Sequence, residues 1–431
     1  MSTPKTDTAS DSGAGDAWKG RAAALAAVLA AEGVVPDPAW KRAFASIPRH
    51  LFTPHVLIGD SAGFIELPIG VPRWWAEVYS NNALLTQTAS TGAGAARQDL
   101  PTSSSSQPSV MAVMLDRLNI ADADDIGQQR CRVLEIGTGT GYNTALLTHR
   151  LGESNVVSVD IDPELVETAR GRLASLGLRP ALRSGDGASG WPEQGPFDRI
   201  LATCAITHIP PAWIEQLTPG GRIVAPLDAD AGPLLVADKP TDASAAQPSS
   251  ETENDGDGGE LVGRVDAYPA AFMPLRRSVD DPLGPGQTMG FAGGAPAQYG
   301  TTALDPRTVL ARDRDYSWFC WLHAPGLRVV GSVDHGSVVV YTADAMAEAT
   351  VAPGRGGTWN VVQRGARRLW DTIEHATATY DKLGRPARTR FGLTAGADPS
   401  TQEIWLDDPD SRHIFPLLAG RTSDTTQGSG T

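Results

Sequence analysis

The segment that most constrains the fold of this chain is an apolar run that ends in an acidic residue and three alternate glycines, VLEIGTGTGYN at Val133–Asn143. Such a run is typical of a buried strand that turns sharply into a helix, because glycine readily takes the positive φ values of a tight turn. Glycine also lets a ligand lie directly against the backbone. Gly137, Gly139 and Gly141 follow the spacing G-x-G-x-G, whereas a dinucleotide-binding loop has G-x-G-x-x-G. The spacing alone is compatible with a ligand-binding loop or with a structural turn.

Acidic residues follow the next strands of the same region. Asp160 ends the apolar run Val156–Val159 and lies roughly 20 residues after the glycines, the distance at which a βαβ unit presents a carboxylate to ribose hydroxyls. Asp186 follows a shorter predicted strand, where a carboxylate could meet an adenine edge. Any one of these acids, taken alone, is more often a helix cap or a solvated loop residue. Further strands are predicted at 197–203 and 217–224, with a helix between them, and this alternation predicts an α/β, Rossmann-like class I S-adenosylmethionine-dependent methyltransferase.

Several motifs allow a family to be named. The block from Ser106 to Pro226 resembles the protein-L-isoaspartate O-methyltransferase family, through SQP at Ser106–Pro108 and the segments EIGTGTGYNTALL, GDGASGWPEQGPFDRI and LTPGGRIVAPL. The upstream segment Ile47–Phe52 also resembles that family. Residues 17–420 as a whole resemble the subgroup that accompanies ATP-grasp ligases in the maturation of ribosomally made peptides, the graspetides. The resemblance implies S-adenosyl-L-methionine as the cofactor and a peptide carboxylate as the substrate.

The resemblance also assigns roles to individual residues. It implies that Ser106 is the catalytic residue that contacts the substrate, and that Glu135 steadies the glycine loop and the ammonium group of the cofactor. The other cofactor-binding residues implied are Gly137, Thr138, Gly139, Gly141, Asp160, Ile161, Asp186 and Gly187. The polar residues Asn82, Thr86, Gln87 and Gln107 are candidates for substrate binding, although the first three could equally form a hydrogen-bonded surface turn. His208 is interpreted as a residue at the rim of the site.

Composition excludes several classes of function. The formal net charge of −14 and the pI of about 5.0 argue against a nucleic-acid partner or an anionic membrane surface. Three scattered cysteines, Cys131, Cys204 and Cys320, are too few for a disulfide framework or a zinc site, so no metal is expected and the cytoplasm is the expected compartment. The short apolar run Ala22–Ala31 is predicted to be an amphipathic core helix, with apolar Leu25, Val28 and Leu29 on one face and no membrane-spanning segment anywhere.

The pattern of composition along the chain predicts the following domains. A disordered tail covers 1–15, an N-terminal helical and substrate-facing segment covers 16–128, and the methyltransferase core covers 129–278 with a disordered loop at 239–260. A linker at 279–300 leads to a small C-terminal α+β accessory domain at 301–420 and a disordered tail at 421–431. Residues 51–88 are expected to be irregular. The polar stretch 88–105 is an insertion compared with repair enzymes, either a lid or peptide-binding loop or a spacer.

Methyl transfer to a carboxylate needs no strong base, since a carboxyl group with a pKa near 4 is already ionised at pH 7. The resemblance implies an O-methyltransferase of an aspartyl or isoaspartyl carboxylate. The resemblance implies an aspartate in a macrocyclic ribosomal peptide, which would give aspartimide or isoaspartate, and possible contact with a peptide ligase. One alternative is general repair of isoaspartyl proteins. Another is a module that escorts a peptide to a cyclase and has weak catalysis of its own.

Overall fold

The computed structural model describes residues 17–60, 63–91, 98–121, 131–241, 260–281, 295–311, 313–332, 334, 336–343 and 347–417. The chain divides into two compact units, Met1–Gly185 and Asp186–Thr431. The two predicted tails, most of the predicted loop 239–260 and residues 282–294 of the predicted linker lie outside the described residues. Within the described ranges, no helix has the length and apolar character needed to span a membrane.

The first unit begins with three helices, α1 (Ala17–Ala31), α2 (Pro38–Ser46) and α3 (Arg49–Phe52). Helix α1 buries Leu25 and Leu29, but Val28 is 46% exposed, so the apolar face predicted from the sequence was one residue too wide. Helix α2 starts where Asp37 caps it, because the carboxylate accepts a hydrogen bond from the Ala39 backbone N–H at 2.7 Å.

A four-stranded antiparallel sheet follows, with strand order β2-β1-β3-β4. Its strands are β1 (Leu57–Asp60), β2 (Gly63–Glu66), β3 (Leu84–Thr91) and β4 (Gln98–Ser105), and helix α4 (Pro72–Val78) lies between β2 and β3. The prediction that 51–88 is irregular was therefore wrong. The strands escaped notice because β1 and β2 are short and the side chains of β2 are mostly exposed, so neither shows an alternating pattern.

The described part of the insertion 88–105 belongs to the hairpin formed by β3 and β4. The two strands pair from Leu84 opposite Ser105 to Thr91 opposite Gln98, with irregular register around Gln87. Below this sheet lies a small core in which Trp74 packs with apolar residues of β3, α4 and the flanking loops. The described part of the insertion is therefore an antiparallel pair of strands, and its second strand ends directly before Ser106.

Parallel strands and helices alternate in the rest of the first unit, as the sequence predicts. Helix α5 (Pro108–Arg117) precedes β5 (Val133–Ile136), α6 (Tyr142–Leu151), β6 (Val156–Asp160), α7 (Pro163–Ser175) and β7 (Ala181–Ser184). Strand β6 lies between β5 and β7, and all neighbours are parallel. Every residue of β5 and β6 is buried, which is why most residues of both strands are apolar. The predicted α/β fold is confirmed.

The second unit contains a larger sheet that begins with the parallel pair β8 (Phe197–Ala202) and β9 (Leu217–Pro226), joined by helix α8 (Pro211–Gln216). Antiparallel strands continue it in the order β9, β10, β11, β17, β18 and β19. The five strands after β9 are β10 (Leu234–Asp238), β11 (Leu261–Val265), β17 (Phe391–Ala395), β18 (Glu403–Leu406) and β19 (Ile414–Pro416). Strands β10 and β11 form an antiparallel pair from Leu235 opposite Val265 to Asp238 opposite Val262.

A second, five-stranded antiparallel sheet has the order β12-β16-β15-β14-β13. Its strands are Gln298–Thr302, Leu327–Ser332, Ser337–Thr342, Ala347–Pro353 and Trp359–Gly365 for β12 to β16. Helices α9 (Pro306–Ala311), α10 (Arg314–His323) and α11 (Leu369–Lys382) belong to the same stretch of chain. The predicted accessory domain 301–420 thus contributes both this sheet and the strands from Phe391 onward that continue the sheet of β8. Its boundaries remain a prediction.

Candidate active site

The glycine loop connects β5 to α6 in a tight left-handed path. Gly137, Gly139 and Gly141 have φ values of +95°, +50° and +88°, so all three occupy the region that residues with a Cβ rarely adopt. The backbone N–H groups of Gly137 and Thr138 donate to the Val159 carbonyl oxygen at 2.8 and 3.3 Å. The loop is therefore held against the end of β6, as predicted for a strand that turns into a helix.

The third glycine is required for packing as well as for its φ value. A Cβ on Gly141 would lie 3.0 Å from the Cβ of Ala169 on α7. A Cβ on Gly139 would lie 3.8 Å from Ser103 Oγ and 3.9 Å from the Ser104 carbonyl oxygen, which places the glycine loop beside the end of β4. The structure therefore brings the predicted cofactor loop and the segment that precedes Ser106 together.

Glu135 is fully buried in a network of donors. Its carboxylate accepts from Asn143 Nδ2 at 2.7 Å and from the hydroxyls of Thr144 and Ser158 at 2.5 and 2.7 Å. Burial raises the pKa of this carboxyl group to about 7, although the three donors oppose the rise. Thr138 joins the network through a 2.7 Å hydrogen bond between its hydroxyl and that of Ser158. Glu135 therefore ties β5, β6 and the first turn of α6 together, and its contact with the cofactor ammonium remains a prediction.

Asp160 is oriented by backbone groups at the end of β6. Its Oδ2 atom accepts from the Gly139 N–H at 2.7 Å, and its Oδ1 atom accepts from the Asp162 N–H at 3.1 Å. The side chain is 8% exposed, and the adjacent Ile161 is half-buried. The carboxylate thus fixes the middle of the glycine loop, next to the position at which the sequence predicts a ribose.

A buried arginine that the sequence analysis did not single out holds Ser106. The Arg49 side chain is fully buried and donates to four backbone carbonyl oxygens, those of Val78 at 3.0 Å, Ser80 at 2.9 Å, Asn82 at 2.9 Å and Ser106 at 3.1 Å. Burial lowers the pKa of the Arg49 guanidinium to about 10, so it stays charged at neutral pH. In the sequence, this role is indicated only by the position of a charged arginine among the apolar residues of Ile47–Phe52. We call this arrangement the Arg49 clasp.

Ser106 presents its hydroxyl outside the Arg49 clasp. The clasp uses the Ser106 carbonyl, and the side chain is half-buried. Two neighbouring hydroxyl oxygens, Ser105 Oγ and Thr86 Oγ1, are buried and have no hydrogen-bond partner among the described residues. Buried polar atoms without partners are costly, so an ordered water or a bound ligand is expected to complete their hydrogen bonds.

The other predicted substrate residues are placed differently. Gln87 uses both ends of its amide within the chain, donating to Asp162 Oδ2 at 3.1 Å and accepting from the Thr102 hydroxyl at 2.9 Å. Gln107 donates to Ser109 Oγ at 2.9 Å, and Asn82 is exposed. Gln87 therefore links the hairpin to the loop after β6, and substrate contact by these side chains remains a prediction.

The residues around the glycine loop suit a polar small molecule. Tyr142 Oη and Asn143 Oδ1, directly after the loop, are buried and lack hydrogen-bond partners in the described structure. The three glycines leave the backbone bare, and Asp160 supplies an oriented carboxylate. No cluster of three or more His, Cys, Asp and Glu side chains within the described residues is arranged to hold a metal ion. S-adenosyl-L-methionine, with its ribose, amine and carboxylate groups, fits this donor and acceptor set.

Asp186 and Gly187 start the second unit. The Asp186 carboxylate accepts from the Ala188 N–H at 2.9 Å, and the buried Gly187 carbonyl accepts from Trp213 Nε1 at 2.8 Å. Trp213 on α8 therefore holds this turn in place. Its place beside the adenine remains a prediction.

Comparisons with known proteins give the same assignment. The family model for protein-L-isoaspartate(D-aspartate) O-methyltransferase matches residues 21–252. Protein-L-isoaspartate O-methyltransferase 1 of Anaeromyxobacter sp. (strain Fw109-5) is 36% identical over 255 residues, which are 59% of this chain and 94% of that protein. The protein-L-isoaspartate O-methyltransferase of Methylorubrum extorquens (strain PA1) is 36% identical over 208 residues, 48% of this chain and 74% of that protein.

A solved protein-L-isoaspartate O-methyltransferase is 22% identical with a TM-score of 0.48, and the match covers 89% of this chain and 99% of that one. The sequence matches decide the assignment, because the family model spans more than half of the chain and the first relative is covered almost completely. The chain belongs to the protein-L-isoaspartate O-methyltransferase family of S-adenosylmethionine-dependent carboxyl methyltransferases.

Proposed function

We propose that this enzyme methylates the side-chain carboxylate of an aspartyl residue in a ribosomally made peptide, with Ser106 as the residue that orients the carboxylate. The observation that carries the proposal is the Arg49 clasp, which fixes the Ser106 backbone while the end of β4 lies beside Gly139. A hydroxyl held in this way can donate to a carboxylate oxygen. The glycine loop beside it is the predicted cofactor site.

Methyl transfer to an ionised carboxylate needs no general acid or base. The bound cofactor supplies an electrophilic methyl group on a sulfonium. Transfer of that methyl group to the carboxylate oxygen would break the carbon–sulfur bond and neutralise both the sulfonium and the carboxylate. Because charge is lost in the transition state, alignment of the two partners and exclusion of water are the useful contributions. A buried clasp and an oriented hydroxyl provide the first of these.

A methyl ester at an aspartyl side chain prepares the next step. The ester has methanol as its leaving group, so the following backbone nitrogen can attack the side-chain carbonyl and close a succinimide. An aspartate processed in this way yields aspartimide or isoaspartate. The β3–β4 hairpin, whose end lies beside the glycine loop, supports a substrate larger than a short repair peptide.

General repair of isoaspartyl residues is the second candidate. It is favoured by the family match itself and by relatives whose name describes that activity. Both candidates use the same carboxylate chemistry. They differ in whether the enzyme accepts many short isoaspartyl peptides or one constrained peptide.

Mass spectrometry tests the proposal. The enzyme and S-adenosylmethionine are incubated with an unrelated isoaspartyl peptide and with an aspartate-containing macrocyclic peptide, and the gain of one methyl group and later loss of methanol are followed. Modification of the macrocycle at an aspartate supports the proposal. Efficient turnover of the isoaspartyl peptide alone supports repair, and no methylation of either peptide contradicts both.

Ser106→Ala tests the assigned residue. We expect a fall in kcat of about tenfold to a hundredfold, since one oriented hydrogen bond is lost, with little change in the dissociation constant of S-adenosylhomocysteine. Ser317→Ala, whose hydroxyl donates to the Asp313 carbonyl at 3.1 Å in α10, is the control and should leave kcat unchanged. Equal rates for the two variants would remove Ser106 from the proposed role.

A further inference from the structure

A glutamine far along the chain clamps the loop that follows β8. Gln402 lies between β17 and β18 and is fully buried. Its Oε1 atom accepts from the Ile209 N–H at 2.9 Å, and its Nε2 atom donates to the Ile209 carbonyl at 2.8 Å and to the Gly396 carbonyl at 3.2 Å. The side-chain amide therefore pairs with both backbone groups of Ile209, as a neighbouring strand would.

The same loop is fixed at its start. Ala205 donates to the Met273 carbonyl at 2.8 Å and accepts from the Leu275 N–H at 2.7 Å. Ile206 donates to the Pro226 carbonyl and accepts from the Asp228 N–H, both at 2.9 Å. Backbone pairing thus holds Ala205 and Ile206, and the Gln402 amide holds Ile209. Thr207 and His208 form the tip of the loop between them.

The tip presents two polar side chains. Thr207 is exposed, His208 is half-buried, and the Thr207 hydroxyl lies 3.0 Å from His208 Nδ1. Burial lowers the pKa of His208, and the positive charge of Arg277 lowers it further, so the imidazole is neutral at pH 7. A neutral imidazole and a hydroxyl can each donate and accept, which suits the amide groups of a peptide.

The tip lies in a part of the sheet where ligands commonly bind. The loop leaves the carboxyl end of β8, which pairs in parallel with β9, and ligands of open α/β sheets bind outside the carboxyl ends of the strands. Gln402 itself lies beyond residue 252, the end of the family match. The clamp therefore joins a residue outside the family match to a loop inside it.

We propose that Gln402 is a positioning residue for the peptide substrate, because it holds the Thr207-His208 tip so that the tip can bind the peptide backbone. The inference rests on the proposed function of this enzyme as a peptide carboxyl methyltransferase. It gives the strands after Phe391 a role in substrate binding through the core loop that they support.

Gln402→Met tests the clamp, since methionine has a similar size but cannot pair with the Ile209 backbone. We expect KM for the peptide to rise about tenfold, the ratio that corresponds to about 1.4 kcal/mol of lost binding, while kcat changes less than twofold. The dissociation constant of S-adenosylhomocysteine, measured by calorimetry, should stay the same. A peptide KM equal to that of the wild type would overturn the proposal.

Gln363→Met is the matched control. Gln363 is also buried, and its amide accepts from the Trp370 N–H at 2.8 Å and donates to Asp371 Oδ1 at 2.7 Å at the start of α11. This variant loses the same kinds of hydrogen bond and should lower Tm, but it should leave the peptide KM unchanged. A rise in KM of the same size in both variants would show a general loss of stability and contradict the proposal.

His208→Ala keeps the inference testable if Gln402→Met does not fold. We expect His208→Ala to raise the peptide KM without changing Tm, and to add little to the effect of Gln402→Met in the double variant, since both act through the same tip. Unchanged KM in His208→Ala would overturn the proposal. Absence of methyl transfer in the wild-type enzyme would contradict the proposed function instead, so the two failures are distinguishable.

Discussion

At the scale of single residues, Arg49 is central to the site although no motif indicates it. One planar guanidinium joins three carbonyls of the segment 78–82 to the carbonyl of Ser106. These partners are 29 to 57 residues away along the chain. A local sequence pattern does not encode such distant backbone partners, so the arginine could not be assigned this role from the sequence.

Arg49→Lys tests this role. A lysine has three donors and no fork, so at least one buried carbonyl loses its partner, which costs about 1–3 kcal/mol of stability. We also expect kcat to fall at least tenfold, because Ser106 is no longer fixed. Activity and urea denaturation are the measurements. Arg150→Lys is the control: this buried arginine donates to Asp37 and to the Ile120 carbonyl, so its loss should lower stability without the fall in kcat.

Glu135 makes the stability of the protein depend on pH. Its pKa rises from 4.5 to about 7 on folding, so the folded state keeps a proton that the unfolded chain has already lost. The stability that this proton contributes is fully present below pH 4.5 and is lost as the pH rises through 7.

Glu135→Gln should remove that dependence. We expect the difference in unfolding free energy between wild type and variant to shift against the wild type from pH 5 to pH 8, by at most about 1.4 kcal/mol per pH unit, since one proton is involved. Urea denaturation at several pH values measures it. A difference that does not change with pH would show that Glu135 is ionised throughout.

At the scale of elements, the glycine loop and its strands are the part that sequence reasoning places well. Buried parallel strands are mostly apolar, and a glycine turn is conspicuous, so β5, β6 and their loop follow from local pattern. Strands β1 and β2 have short, exposed segments whose pairing is decided by contacts elsewhere in the sheet. A hydrophobic pattern therefore identifies strands whose own residues are buried. It misses short strands that are mostly exposed and form only through pairing with other strands.

Gly141→Ala separates two requirements on the loop. Both Gly141 and Gly177 have positive φ values, +88° and +74°, so alanine costs roughly 1–2 kcal/mol at either position. Only Gly141 also faces Ala169, with no such neighbour within 4 Å of Gly177. We therefore expect Gly141→Ala to lose about 1–3 kcal/mol more stability than Gly177→Ala, and to weaken S-adenosylhomocysteine binding. Equal losses in urea denaturation would show that packing against α7 is unimportant.

At the scale of the whole molecule, the enzyme and the carboxylate that it methylates carry charge of the same sign. The chain carries a formal charge of −14, and its substrate is itself a carboxylate. Long-range repulsion therefore opposes the approach of an acidic peptide, whereas a peptide with basic residues beside the aspartate is attracted. The charge of the residues that flank the aspartate should then decide which peptides bind well at low salt.

Two peptides that share the aspartate and differ only in flanking lysines or glutamates test this effect. We expect the lysine peptide to have the lower KM at low ionic strength, and its KM to rise with salt because screening acts over about 10 Å at 0.1 M. The KM of the glutamate peptide should fall over the same range, since the same salt screens repulsion. The kcat values should stay alike, because the charges lie outside the reacting atoms. If both KM values moved in the same direction with salt, the net charge of the enzyme would have no part in choosing its peptide.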